Sequence, residues 1–258
     1  MPTTLVAAVD RFFDDASLFP PAGLPMAQAL AAHARVREGP YSSVVGPFLC
    51  PAARLAELDA CVASGQPRPA EIGVIAYDAR TNWSQIYATP GLVQVEAPQT
   101  ARLPEAARRV RRYLEIGSHT GPGALDGALD MIAASGTRAK VRCGGLTRDD
   151  VPTCAWLAAV LVGCAQRELK LKATAGLHHA FRQSTDNGPQ HGFVNLLAAA
   201  AAAHRAAPVE TVTDILAAEE DQAPVLVAQV GRGRELLVSV GTCSIDEPVA
   251  ELTERGLL

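Results

Sequence analysis

The stretch "LKLKATAGLHHAFR" at residues 169–182 decides how we interpret the fold, because it alternates apolar and polar side chains. Residues two apart along a β-strand point to the same side. Lys170, Lys172 and Thr174 therefore share one face of a predicted strand, and the intervening leucine and alanine share the other. A glycine and two histidines follow directly. The segment predicts a strand that ends in a turn carrying ionisable side chains.

The same alternation recurs in three earlier stretches, where the polar pairs are Gln94 with Glu96, Tyr113 with Glu115, and Lys140 with Arg142. Seven predicted strands alternate with helical stretches, the pattern of repeated β-α units around a parallel sheet. They cover residues 43–49, 72–77, 92–97, 113–116, 139–143, 169–175 and 236–240. The predicted fold is α/β, a single (β/α)8-type (TIM) barrel domain formed by residues 1–258.

The remaining parts of the barrel are predicted less directly. An eighth strand is needed for closure, and residues 191–197 or residues 224–230 are the two candidates. Residues 1–40 predict N-terminal helices with a proline-rich corner that pack on the barrel. A long excursion follows the predicted sixth strand and contains an alanine run that favours a helix. Further helices are predicted at residues 51–65, 103–112, 124–136 and 154–169.

Composition excludes several classes of partner. The net charge of -4 and the 19% of charged residues give no basic footprint for nucleic acid. No run approaches the roughly 18 apolar residues that span a bilayer, and the first residues lack the pattern of a secretory signal. We therefore expect a cytoplasmic protein with a small-molecule substrate, no nucleic-acid or membrane partner, and homo-oligomerisation left open. Of six scattered cysteines, Cys143 and Cys243 are candidates for chemistry, because each follows a predicted strand at a glycine-containing turn.

The polar face of the predicted strands has to point into the barrel, because helices cover the outer face of such a sheet. Acids and bases inside a barrel are costly unless they pair. A buried salt-bridge network of purely structural role is one interpretation, and a functional site at the strand ends is the other. Glycine-containing turns after four of the strands favour the site, since backbone amides there can approach an anion closely.

A family resemblance is carried by residues 139–176. The segments "AKVRCGG" and "KLKATAG", separated by a helix, resemble the fifth and sixth strands of deoxyribose-phosphate aldolases. The resemblance implies class I aldolase chemistry, with Lys172 in the Schiff-base position, followed by Thr174 and Gly176, and with Lys140 matching a lysine early in the fifth strand. That family also carries a lysine on its seventh strand beside the Schiff base, for which the sequence suggests no counterpart.

Lysine chemistry also follows from the residues themselves. Attack on a carbonyl needs a neutral amine, and neighbouring cations in a pocket of low dielectric ease the loss of the proton. We therefore predict a carbon-carbon lyase or related enzyme with Lys172 as nucleophile, Lys170 as the alternative nucleophile and Lys140 beside them. Glu96 or Glu115 would act as general acid/base. The predicted substrate-binding residues are Arg142, Thr174, His178, His179, Thr242 and Ser244.

Other functions stay open at this stage. No cofactor is expected for lysine chemistry, but Asp78, Glu96, Glu115 and His178 are a candidate ligand set for a divalent metal such as Mn or Zn. A metal-dependent aldolase, isomerase or hydrolase is therefore one alternative, and a non-catalytic barrel that binds a small anion is another. A cysteine nucleophile would need a histidine brought close by the fold. Asp14 and Asp15 are either solvated acids at a helix end or acids supplied to the barrel mouth.

Overall fold

Eight parallel strands close into a barrel in the computed structural model, which describes residues 2–78, 81–105, 109–118, 120–145, 147–185 and 188–258. The barrel strands follow chain order around the barrel, and the first pairs with the last. They are β1 (Phe13–Asp15), β2 (Val45–Pro51), β3 (Ile72–Ile75), β4 (Leu92–Pro98), β5 (Arg111–Ile116), β6 (Arg138–Arg142), β7 (Leu171–Thr174) and β10 (Leu237–Thr242). A separate antiparallel hairpin consists of β8 (Gln183–Thr185) and β9 (Gly188–Gln190). The predicted TIM barrel is confirmed.

The strands alternate with helices along most of the chain. The helices are α1 (Pro2–Ala8), α2 (Met26–Glu38), α3 (Leu55–Ala63), α4 (Trp83–Tyr87), α5 (Pro122–Ala134), α6 (Cys154–Gln166), α7 (Phe193–His204), α8 (Val209–Ala217), α9 (Ala223–Gln229) and α10 (Asp246–Glu254). Their ends have ordinary local causes: the hydroxyl of Thr153 accepts a hydrogen bond from the Trp156 amide at the start of α6. No helix in the described part of the chain is long and apolar enough to cross a membrane.

All seven predicted strands are confirmed, with ends that differ by no more than two residues, but both candidates for the eighth strand are wrong. Residues 191–197 lead into α7, and residues 224–230 largely form α9. The missing strand is β1, which lies inside the N-terminal segment that we expected to be helical. It has three residues, too few to show an alternating pattern. Every predicted strand therefore moves up by one in the barrel, so that Lys140 lies on the sixth strand and Lys172 on the seventh.

The long excursion lies between β7 and β10 and contains the hairpin and α7 to α9. The alanine run is helical as predicted, and residues 198–203 of α7 are buried between α6, α8 and α9. Alanine allows such close packing because it has no side chain beyond Cβ. The helix predicted at residues 103–112 is not found in its described part: residues 111–112 belong to β5, and residues 106–108 lie outside the described residues.

Candidate active site

Four charged side chains from four different strands meet inside the barrel. We call Asp14, Glu96, Lys140 and Lys172 the lysine–carboxylate cluster; they lie on β1, β4, β6 and β7. None is more than 2% exposed. The alternating pattern puts all four on the inner face, opposite the apolar residues that pack against the helices. A barrel interior is normally filled by aliphatic side chains, so this arrangement marks the centre of the molecule as unusual.

Glu96 bridges the two lysines. Its Oε1 lies 2.5 Å from Nζ of Lys172, and its Oε2 lies 2.6 Å from Nζ of Lys140. Burial by itself would raise the pKa of this carboxyl, but the adjacent ammonium groups of Lys140 and then Lys172 lower it to about 2. Glu96 is therefore ionised at neutral pH, and both of its oxygens are occupied by ammonium groups.

Asp14 completes the cluster from the other side. Its Oδ2 lies 2.5 Å from Nζ of Lys172 and accepts hydrogen bonds from Nε2 of Gln94 at 2.9 Å and from the hydroxyl of Ser239 at 3.3 Å. Gly46 on the neighbouring strand leaves the space for this carboxylate, because a Cβ there would lie 2.4 Å from its Oδ1. Asp14 is thus fixed by three donors and a glycine.

Lys140 connects the cluster to the outside. Its Nζ lies 2.9 Å from Oε2 of Glu115 and donates to the Tyr77 hydroxyl at 2.9 Å, and that hydroxyl donates in turn to Glu115. The side chain of Glu115 is 15% exposed, and Tyr77 is 45% exposed. Partial burial, opposed by Lys140 and supported by Glu115, raises the pKa of Tyr77 to about 12. Lys140 is therefore the cluster lysine nearer to solvent.

Both cluster lysines hold their protons more tightly than free lysine does. Burial alone would lower their pKa values, but Asp14 and Glu96 raise the pKa of Lys172, and Glu96 and Glu115 raise that of Lys140. Cation crowding, which we expected to lower the pKa of Lys172, is present as a weaker influence of Lys140. The carboxylates outweigh it because they touch the ammonium groups directly.

Two of the predicted residues on these strands lie outside the cluster. Lys170 precedes β7, is exposed, and donates a hydrogen bond to the backbone carbonyl of Glu235. The prediction that Lys170 lies inside the barrel is therefore wrong, because the strand begins only after this residue. Arg142 is exposed at the carboxyl end of β6 and lies in register with Thr174, which is half-buried at the end of β7. These two line the end of the strands above the lysines.

The predicted histidines and hydroxyls gather around α10. Nδ1 of His178 lies 2.7 Å from Glu247, and Nδ1 of His179 lies 3.5 Å from Glu251. The Thr242 hydroxyl donates to the backbone carbonyl of Ser244 at 2.8 Å, which shapes the turn from β10 into α10. Both histidines therefore contact acids of one helix.

The candidate metal ligands do not form a metal site in the part of the chain described. No group of three or more His, Cys, Asp or Glu side chains there has the arrangement to hold an ion. The oxygens of Glu96 are taken by lysines, and His178 contacts Glu247. Asp78 follows β3 and is exposed. The donor set expected for Mn or Zn is thus dispersed.

The sequence places Asp14 and Asp15 side by side but does not indicate which of them faces the lysines. Asp14 points inward to Lys172, while Asp15 points outward, where its carboxylate contacts Nδ1 of His33 at 2.9 Å and accepts from the Ser17 amide at 2.9 Å. Two neighbouring acids that face opposite sides are typical of a strand. That signal is present in "FFDD", although the strand itself is too short to recognise.

Comparison with known proteins identifies the fold and no family. No protein-family model and no curated protein matches the sequence. Among solved structures, "QR15, an Aldolase" matches with a TM-score of 0.56 and 11% sequence identity, over 96% of this chain and 97% of that one. The two chains share a fold. The expected resemblance to aldolase barrels therefore holds for the architecture of the whole chain and not only for residues 139–176.

Proposed function

We propose that the protein is a class I aldolase-like carbon-carbon lyase, or a related enzyme that forms a Schiff base between a lysine and a carbonyl substrate. The observation that carries the proposal is the pair of buried lysines on adjacent strands, bridged by Glu96. The aldolase fold of the matched structure supports it. The chain contains three lysines, and two of them are in this pair.

Strand order favours Lys140 as the nucleophile. In the aldolases that the sequence resembles, the Schiff-base lysine lies on the sixth strand and a second lysine lies beside it on the seventh. With β1 counted, Lys140 occupies the sixth strand and Lys172 the seventh. Lys140 also contacts the exposed Tyr77, whereas Lys172 is enclosed by two carboxylates. Once β1 is counted, Lys172 takes the place of the second lysine that appeared to be missing, on the strand next to that of Lys140.

Charge balance explains how a lysine that holds its proton tightly can serve this chemistry. The two ammonium groups and two carboxylates of the cluster cancel, and Glu115 adds a partly exposed acceptor for the proton that Lys140 must lose. Condensation of the neutral amine with a carbonyl, with return of that proton and release of water, then gives an iminium ion, which restores the positive charge that Glu96 stabilises. The carboxylates hold the cation before and after the step, so the site favours the charged intermediate.

The two other functions have weaker support. The dispersed donor set gives a metal-dependent reaction no common centre, and the balanced cluster has no excess positive charge to hold an anion. A purely structural network is the main competitor, because buried ion pairs also occur without function. A purely structural network predicts that no carbonyl compound becomes covalently bound to the protein.

Reductive trapping tests the proposal. The protein is incubated with small aldehydes, ketones and 2-oxo acids, reduced with borohydride, and measured by intact mass and peptide mapping. We expect one adduct, located at Lys140, that is lost in Lys140→Met and retained in Lys170→Met, the matched change at the exposed lysine. An adduct at Lys172 would reverse the roles of the two lysines. Capture by none of the compounds, or only at Lys170, would contradict Schiff-base chemistry.

A further inference from the structure

A second group of reactive side chains lies at the end of the barrel, apart from the lysines. Cys243 follows β10 and is half-buried, and His178 lies in the loop after β7. The cysteine Sγ is 3.8 Å from Nε2 of His178 and 4.0 Å from its Nδ1. Glu247 on α10 contacts Nδ1 at 2.7 Å. The fold has thus brought a histidine to the cysteine from 65 residues away.

The order of the three side chains is that of an activated nucleophile. A carboxylate that accepts from Nδ1 fixes the ring beside the sulfur, which lies almost equally far from both ring nitrogens. Base and nucleophile are often looser than an ideal hydrogen bond before a substrate binds. Contact with Cys243, together with Glu247 and against partial burial, raises the pKa of His178 to about 9. The imidazole therefore carries a proton at neutral pH.

The surrounding charges single out Glu247 as the partner of His178. Two other acids of α10 are engaged elsewhere: Asp246 pairs with Arg35, and Glu251 pairs with Arg255 and His179. Glu247 contacts the histidine and has no other ion pair within the described residues. The pair of Cys243 and His178 thus faces one acid from α10.

The other cysteines provide the contrast. Burial raises the pKa values of Cys50, Cys143 and Cys164 to about 12, so these three are packing residues, including Cys143, which the sequence had suggested for chemistry. Cys61 and Cys154 are half-buried like Cys243. Neither has a histidine within hydrogen-bond distance in the described structure. Cys61 is the matched reference for the effect of His178, because burial raises the pKa of Cys154.

We propose that Cys243, His178 and Glu247 form a second nucleophilic site, in which the sulfur of Cys243 attacks an electrophilic carbon of a small molecule and His178 transfers the proton. The site is independent of the lysine chemistry proposed above, because it shares no residue with the lysine–carboxylate cluster. A carbonyl compound is the chemical class it suits: the sulfur bonds to the carbonyl carbon, the π electrons move to oxygen, His178 gives a proton to that oxygen, and the proton of the broken S–H bond replaces it on His178.

Alkylation by iodoacetamide tests the site in the intact protein. Sγ forms a bond to the reagent's methylene carbon, the carbon–iodine bond breaks, iodide leaves, and the thiol proton passes through His178 to solvent. Peptide mapping over time gives the rate at each cysteine. At pH 7 we expect Cys243 to react at least about tenfold faster than Cys61 and Cys154, as activated thiols do. A smaller ratio would overturn the proposal.

The variant His178→Asn separates activation from mere exposure. Asparagine retains a polar side chain but cannot hold the thiol proton, so we expect the Cys243 rate to fall at least about tenfold at pH 7. The Cys61 rate should stay the same, which reports that the fold is intact. If Cys243 reacts as fast in this variant as in the unchanged protein, His178 does not activate it and the proposal fails.

Discussion

The barrel carries two groups of ionisable side chains that differ in burial. One is the lysine–carboxylate cluster, and the other is the group of Cys243, His178 and Glu247. The first is built on strands, and each of its members is at most 2% exposed. The second is built on loops and a helix start, with side-chain exposures of 19% for His178 and 57% for Glu247. Both bring a nucleophile and an acid together at the same barrel.

The difference shows what burial does to a nucleophile. In the interior every charge needs a direct partner, since an unpaired one would be strongly disfavoured, and the partners then hold the lysine protons in place. At the loops, water shares the stabilisation and a single histidine suffices. The lysines of the cluster are therefore held in direct ion pairs, whereas Cys243 and His178 remain partly exposed to solvent.

The largest expected effect comes from a substitution in the buried lysine–carboxylate cluster. Lys172→Met removes the cation between Asp14 and Glu96 and leaves two carboxylates facing each other, so the free energy of unfolding should fall by about 3 to 5 kcal/mol. His178→Asn, at the half-exposed site, should change it by less than about 1 kcal/mol. Urea unfolding of both variants measures the contrast. Equal losses would mean that the cluster does not stabilise the barrel as described.

The second largest expected effect is a fall in the free energy of unfolding at low pH, because acid protonates Glu96. The pKa of Glu96 is about 2 in the folded protein, below its ordinary 4.5, so its contribution is present above pH 4.5 and is lost as the pH falls towards 2. The loss amounts to about 3 kcal/mol over that window. Urea unfolding at a series of pH values measures it. Glu96→Gln should show a flatter dependence there, and an equally steep one would assign the effect to other carboxyls.

The smallest expected effect comes from a substitution in the group of Cys243, His178 and Glu247. Glu247→Gln keeps the shape of the side chain but weakens its hold on Nδ1 of His178, so iodoacetamide should react with Cys243 roughly three- to tenfold more slowly. The free energy of unfolding should stay within about 0.5 kcal/mol of the unchanged protein. Peptide mapping and urea unfolding measure the two quantities. A faster reaction would show that Glu247 restrains the histidine instead of orienting it.

Most of the barrel could be predicted because its strands show a clear alternation of apolar and polar residues. Alternation in residues 92–97, 139–143 and 169–175 indicated which side chains face inward, and Glu96, Lys140 and Lys172 are buried there as expected. The strand Phe13–Asp15 could not be found, since three residues between helical stretches carry too little pattern. Its absence shifted the strand count and concealed the seventh-strand lysine.

Contacts between distant segments could not be predicted at all. Nothing in the local sequence indicates that Asp14 meets Lys172, or that Glu96 binds two lysines at once, and these contacts reverse the expected direction of the lysine pKa shifts. The same holds for Cys243 and His178, which were candidates separately and are neighbours only through the fold. Lys170 was misplaced because β7 begins at Leu171, two residues after the predicted start of the strand.

Closure of the barrel by the three residues of β1 also sets the order in which the molecule can fold. Phe13 pairs with Val240, and the ion pair of Asp14 with Lys172 spans 158 residues. On a ribosome, the aspartate emerges long before the lysine that neutralises it. Contacts of such long range make folding slow and cooperative. The nascent barrel must therefore remain open, with its interior charges solvated, until nearly all of its strands have been synthesised.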